Sequence, residues 1–140
     1  MAVSPEHLEE LKKIAGPKGY SDDPNVIAPH TEEPRGKYFG KTPLVLYPDS
    51  TQMVSELVTY ANENGIKIVP QSGNTGLVGG GVPDTSGEEI VISLKRMSNV
   101  RAKDIHNQTM TLESGVILSD AHDIADNMNM QFPMHIASEG

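Results

Sequence analysis

Cysteine is absent from the 140 residues, which excludes disulfides, thiolate metal sites and cysteine nucleophiles together. No apolar run approaches the roughly 20 residues that a membrane-spanning helix needs, so no transmembrane segment is expected. Basic residues are scarce: 11 Lys and Arg stand against 19 Asp and Glu, for a net charge of −8. Such a surface repels nucleic acid and anionic membranes, and neither is an expected partner. An anionic ligand must then be held by local dipoles, because the field of the whole chain opposes it. A signal-peptide core is also lacking. The early Glu6, Glu9 and Glu10 argue against an acidic-poor transit peptide, so the cytoplasm is the expected compartment. The histidines at 7, 30, 106, 122 and 135 show no metal-ligand spacing, and no Ser-His-Asp order has a supporting motif. No catalytic and no metal-binding residue is assigned.

What the chain does have is glycine in one place. Ile66 to Gly81 reads I-K-I-V-P-Q-S-G-N-T-G-L-V-G-G-G: a short apolar run, a stop at Pro70, then glycines at 73, 76, 79, 80 and 81. A strand running into such a loop lets a ligand approach the backbone closely and lets several N–H groups meet one anion. Ser72, Asn74 and Thr75 add side-chain donors. The spacing of Gly73, Gly76 and Gly79 is wrong for the dinucleotide fingerprint, and no lysine follows as a P-loop requires. Pro83 and Asp84 point to a turn rather than a helix beyond the loop. An ordinary glycine-rich surface loop is the competing reading, and the residues around the loop decide between them.

The composition, 36% hydrophobic and 21% charged, is that of one soluble globular domain. A short helix is expected before Gly16, with Ser4 as cap, Pro5 in the first turn and Leu8, Leu11 and Ile14 as its apolar stripe. Tyr20 to Gly40, punctuated by Pro24, Pro29 and Pro34, reads as a lead-in with little regular structure, packed onto the domain by Tyr38 and Phe39. From Pro43 a β-α-β unit is expected. Leu44–Tyr47 and Ile66–Val69 are its parallel strands. Asp49-Ser50-Thr51 caps a helix with the stripe Val54, Leu57, Val58 and Ala61. Such a crossover is expected to be right-handed. A strand at residues 89–94 and a hairpin at 100–105 and 109–113, turning at His106-Asn107-Gln108, are expected in a neighbouring, largely antiparallel layer. A helix carrying Ala121, Ile124, Ala125 and Met128 follows.

Three segments, P-L-V-L-Y-P-D-S-T (43–51), I-V-P-Q-S-G-N-T-G-L-V-G-G-G-V-P (68–83) and L-E-S-G-V-I-L (112–118), stand in the order and spacing of one family. The chain resembles the FAD-binding domain of the vanillyl-alcohol-oxidase type, also called PCMH-type, in its D-lactate and D-2-hydroxyglutarate dehydrogenase branch. The resemblance runs from about Arg35 to the last residue. It implies an α+β fold: an N-terminal β-α-β subdomain and the start of a second, largely antiparallel one. Residues 1–42 are then a helix and lead-in, and 43–140 a truncated FAD-binding domain.

The same resemblance implies that the glycine loop holds the FAD pyrophosphate, with Pro70, Gln71, Ser72, Gly73, Asn74, Thr75, Gly76, Gly79 and Gly80 as cofactor-binding residues. Gly115, Pro133 and Gly140 are expected toward another wall of the flavin cleft. In some relatives a loop histidine bonds covalently to the flavin; here that position resembles Asn74, so FAD is expected to be non-covalent. The branch usually has two adjacent glycines where this chain has Ser72-Gly73.

The closing S-E-G resembles a point after which the family continues into a second glycine motif and a substrate domain. The chain is therefore expected to be an N-terminal fragment, inactive alone. Its partners would be FAD and, through the missing part, a small 2-hydroxyacid; a homo-oligomer stays open. A noncatalytic FAD- or phosphate-binding module is the alternative.

Overall fold

The computed structural model describes residues 3–138. Helix α1 (Pro5–Ala15) begins as its residues dictate: the Ser4 side chain accepts from the His7 N–H and Pro5 occupies the first turn. Gly16, at φ 71°, ends it. Leu11 and Ala15 are buried, and Leu8 and Ile14 pack against the same core.

The lead-in is more ordered than its prolines suggest. It contains β1 (Tyr20–Ser21), α2 (Pro24–Ile27) and a 3-10 turn at Ala28–His30, and a bridge joins Glu32 to Phe39. The cause is local. The Asp23 carboxylate accepts from the Asn25 N–H at 2.8 Å, and Pro24 takes the first helical position, where its missing N–H costs nothing.

Strand β2 (Val45–Leu46) leads to α3 (Thr51–Glu63), which Ser50 caps by accepting from the Met53 N–H at 3.2 Å. Then come β3 (Lys67–Gln71), β4 (Glu89–Ser93), the hairpin β5 (Val100–Asp104) and β6 (Thr109–Leu112), and α4 (Leu118–Asp126). The expected stripe on α3 is rotated. Leu57 and Ala61 are buried, but Val58 is exposed, and Met53 and Tyr60 pack inward instead. Helix α1 covers α3 from one side, with His7 Nδ1 2.8 Å from the Tyr60 hydroxyl, and this moves the buried face toward Tyr60.

The main sheet has the order β1-β2-β4-β3. Strands β2 and β3 are both parallel to β4, which lies between them, and β1 runs antiparallel on the β2 edge. The expectation that residues 89–94 belong to a neighbouring antiparallel layer is therefore wrong. The reason lies in the strand itself: Ile90, Val91 and Ile92 are all buried, so β4 is apolar on both faces and fits only the centre of a covered sheet. The 100–104 and 109–112 strands do form a separate antiparallel pair, with a register shift between Val100 and Ala102.

Side chains alternate across β2. Leu44 and Leu46 join Leu11, Leu57, Ile90 and Ile92 on the face covered by α1 and α3. Val45 and Tyr47 join Ile27, Val69 and Val91 on the face covered by the lead-in. No helix among the described residues is long and apolar enough to cross a membrane.

Candidate functional site

The loop expected to carry the ligand leaves the carboxyl end of β3, where parallel sheets commonly place their sites. Side chains hold it from several sides. Gln71, buried at the end of β3, donates from Nε2 to the carbonyl of Gly81 at 2.7 Å and so closes the neck of the loop. Ser72 Oγ donates to the Ser114 carbonyl at 2.7 Å. Asn74 Nδ2 donates to the carbonyls of Glu32 and Pro29, at 2.9 and 3.3 Å. The Arg35 guanidinium donates to the Leu77 carbonyl. Tyr38 lies against Gly79, whose φ of 81° suits glycine; a Cβ there would stand 2.9 Å from the ring.

These bonds change what the loop has left to offer. Ser72 and Asn74, expected to donate to phosphate, have their side-chain hydrogens committed within the protein. The main chain differs: among the described residues, no backbone N–H from Gly73 to Gly81 donates to another group. At Gly76 and Gly80 a Cβ would meet nothing within 4 Å, and at Gly73 only the Thr75 methyl, at 3.7 Å. An open backbone with unspent donors fits a pyrophosphate that must come close to the chain.

The rest of the expected set falls in three places. Pro70 lies within β3, exposed and opposite Ile92. Gly115 lies beside the residue that Ser72 binds, pressed so closely on the carbonyls of Leu94 and Met97 that any Cβ would collide with them. Pro133 lines a hollow with Met110, Ala125, Met128 and Phe132, between the hairpin and the residues after α4. Gly140 lies outside the described residues.

Sequence reasoning missed the contribution of the lead-in. The Glu33 side chain is fully buried and accepts from the N–H groups of Arg35, at 3.0 Å, and Lys37, at 2.8 Å. Burial alone would raise its carboxyl, but these two donors and the Arg35 guanidinium outweigh that and hold it below the usual range. The turn so formed carries Arg35 to Leu77 and Tyr38 to Gly79. An acid followed by Pro-Arg-Gly was the available signal. Phe39, expected to pack inward, is 65% exposed; only its backbone pairs with Glu32. Among the described residues no group of three His, Asp or Glu could hold a metal.

A parallel β-α-β layer ending in an open glycine loop, followed by an antiparallel pair, defines the first part of a PCMH-type FAD-binding domain. The chain belongs to the FAD binding domain family, whose profile matches residues 42–140, and FAD is its cofactor. Among its relatives is a D-lactate dehydrogenase of Anaerostipes hadrus, 33% identical over 94% of this chain and 27% of that protein. The mitochondrial D-2-hydroxyglutarate dehydrogenase of Arabidopsis thaliana is 30% identical over 99% of this chain and 24% of that protein. The chain thus spans about a quarter of their length. The solved structure of alkyldihydroxyacetonephosphate synthase superposes with a TM-score of 0.78 at 24% identity, over 89% of this chain and 25% of that one, and shares the fold.

Proposed function

We propose that these residues are the FAD-binding portion of a flavin-dependent dehydrogenase that oxidises a D-2-hydroxyacid such as D-lactate or D-2-hydroxyglutarate. The observation that carries this reading is the loop from Gly73 to Gly81, anchored by side chains on several sides while its main-chain donors stay free. The backbone of Ser72 to Gly76 and of Gly79-Gly80 holds the pyrophosphate, with the Thr75 hydroxyl beside it. Pro70 and Gln71 set the direction in which the loop leaves the sheet. Gly115, Pro133 and Gly140 contribute part of one wall of the flavin cleft, and Asn74 leaves the flavin without a covalent link.

Bound FAD supplies the oxidising group; this part of the chain binds and orients it. The 2-hydroxyacid carboxylate and the group that takes the hydroxyl proton are provided by residues beyond these 140. The domain proper begins near residue 43, with residues 1–42 as a lead-in that fixes the loop. The cytoplasm remains the proposed compartment on the strength of the acidic first helix; the Arabidopsis relative is mitochondrial, so fractionation is the check.

The central test is the full-length protein purified without added flavin. It is expected to be yellow, to release FAD on denaturation, and to reduce an artificial electron acceptor with D-lactate or D-2-hydroxyglutarate but not with the L enantiomers. A colourless protein, or one indifferent to the configuration at carbon 2, would end this reading.

A further inference from the structure

One side chain of the lead-in, His30, joins the neck of the glycine loop to the end of β2 through a chain of hydrogen bonds whose directions follow from one another in the neutral ring. Gln71 Nε2 lies 2.7 Å from the Gly81 carbonyl and 3.1 Å from that of His30. Both partners only accept, so this atom is the amide nitrogen, and Oε1 is the atom turned to the His30 ring. That oxygen accepts, so His30 Nδ1, its partner, carries the hydrogen. In the neutral ring Nε2 is then bare, and the Tyr47 hydroxyl, 3.0 Å away, donates to it. Tyr47 is buried, with its ring edge-on to His30 and Lys95 Nζ 4.4 Å from its centre.

Tyr47, Val69 and Gln71 share one sheet face by the two-residue alternation of strands. His30 comes from the 3-10 turn laid across that face. The relay therefore links β2, the lead-in, the end of β3 and the far end of the loop, at residues 47, 30, 71 and 81.

We infer that His30, as its Nδ1–H tautomer, is a positioning residue that holds Gln71 turned to Gly81 and so sets the width of the cradle formed by residues 72–80. The inference deepens the pyrophosphate reading of the loop and rests on it for its functional meaning, but the clamp itself can be measured without flavin. Bonds to Oε1 and to the His30 carbonyl leave Gln71 one orientation. Without the Nδ1–H donor the two carbonyls still select the nitrogen end, but Oε1 loses its partner, the amide is held less firmly, and the Gly81 carbonyl is released for part of the time.

Two measurements on this chain without ligand test the clamp. Long-range proton–nitrogen spectra of His30 are expected to show hydrogen on Nδ1, the opposite of the tautomer that free histidine favours. A predominant Nε2–H form overturns the inference. Hydrogen exchange at the Val82 amide, which donates to the Gly79 carbonyl beside the clamped Gly81, is expected to quicken about tenfold in His30→Leu, the scale of one hydrogen bond, with the α3 and β4 amides unchanged. His30→Asn, which keeps an N–H near the place of Nδ1, is expected to restore slow exchange. A purely structural role would instead quicken the sheet and the loop together in both variants, and that result also overturns it.

In the full-length protein His30→Leu is expected to weaken FAD binding about tenfold and His30→Asn less than about threefold. Unchanged exchange and unchanged affinity in His30→Leu refute the clamp. Quickened exchange in a protein that never binds flavin leaves the clamp standing and removes the pyrophosphate assignment.

Discussion

At the scale of single residues, the glycines of the loop divide by what surrounds them. Gly73 has room for a Cβ and no positive φ, so Gly73→Val is expected to leave the circular dichroism of the full-length protein unchanged while its methyl groups stand where phosphate must approach. The variant should purify colourless, and a yellow one would remove the loop from the flavin site. Gly79 is the opposite case. Its φ of 81° and the Tyr38 ring against it make Gly79→Ala a stability variant, costing about 1–2 kcal/mol from the left-handed backbone alone, measurable by urea unfolding. Glu33 adds a pH dependence. Its folded carboxyl lies below the usual value, so the stability it confers is complete above the ordinary glutamate pKa of about 4.3 and is lost as pH falls through the lower folded value. Glu33→Gln is expected to lower the melting temperature at pH 7 and to flatten its fall between pH 5 and 3. Parallel melting curves for the two proteins across that range would count against it.

At the scale of elements, Leu57 of α3 is fully buried against Leu44, Leu46 and Ile90, so Leu57→Ala is expected to cost about 2–5 kcal/mol in equilibrium unfolding. Val58→Ala, one position on, exposed and outside that core, is expected to change stability by less than about 0.5 kcal/mol. That contrast marks the limit of what periodicity reveals. Helices α1 and α3 were legible because their caps and stripes are local, and α4, which has no side-chain cap, from its stripe alone. The hairpin was legible because its turn is local. The place of β4 was not, because an apolar run of three residues, Ile90 to Ile92, specifies burial on two faces but not which neighbours supply them. The glycine loop could be located from Gly73 to Gly81 by spacing alone. Its anchors could not, because Asn74 and Glu32, or Gln71 and His30, are about forty residues apart and meet only through the fold.

At the scale of the whole molecule, these 140 residues alone are expected to bind FAD more weakly than micromolar and to oxidise no 2-hydroxyacid. A ligand as long as FAD gains affinity from contacts along its whole length, less the cost of ordering both partners, and the loop covers only its pyrophosphate. The charge of −8 adds no long-range attraction for a dianion. Calorimetric titration decides this, and submicromolar binding would show that a stretch spanning about a quarter of its relatives' length already makes a sufficient site. The position of β4 between β2 and β3 also has a consequence in time. Val45 and Leu46 can pair early only with Tyr20–Ser21 at the sheet edge, while their parallel partners Val91 and Ile92, and the Glu89–Ser93 partner of Lys67–Gln71, come later in the chain. During synthesis α1, α3 and the β1–β2 pair can form, but the parallel part of the sheet cannot, and the glycine loop emerges before the strand that will steady its base. Pairings this distant in sequence are slow to close. Pulse-labelled exchange during refolding should therefore show β2, β3 and β4 gaining protection in a single late step.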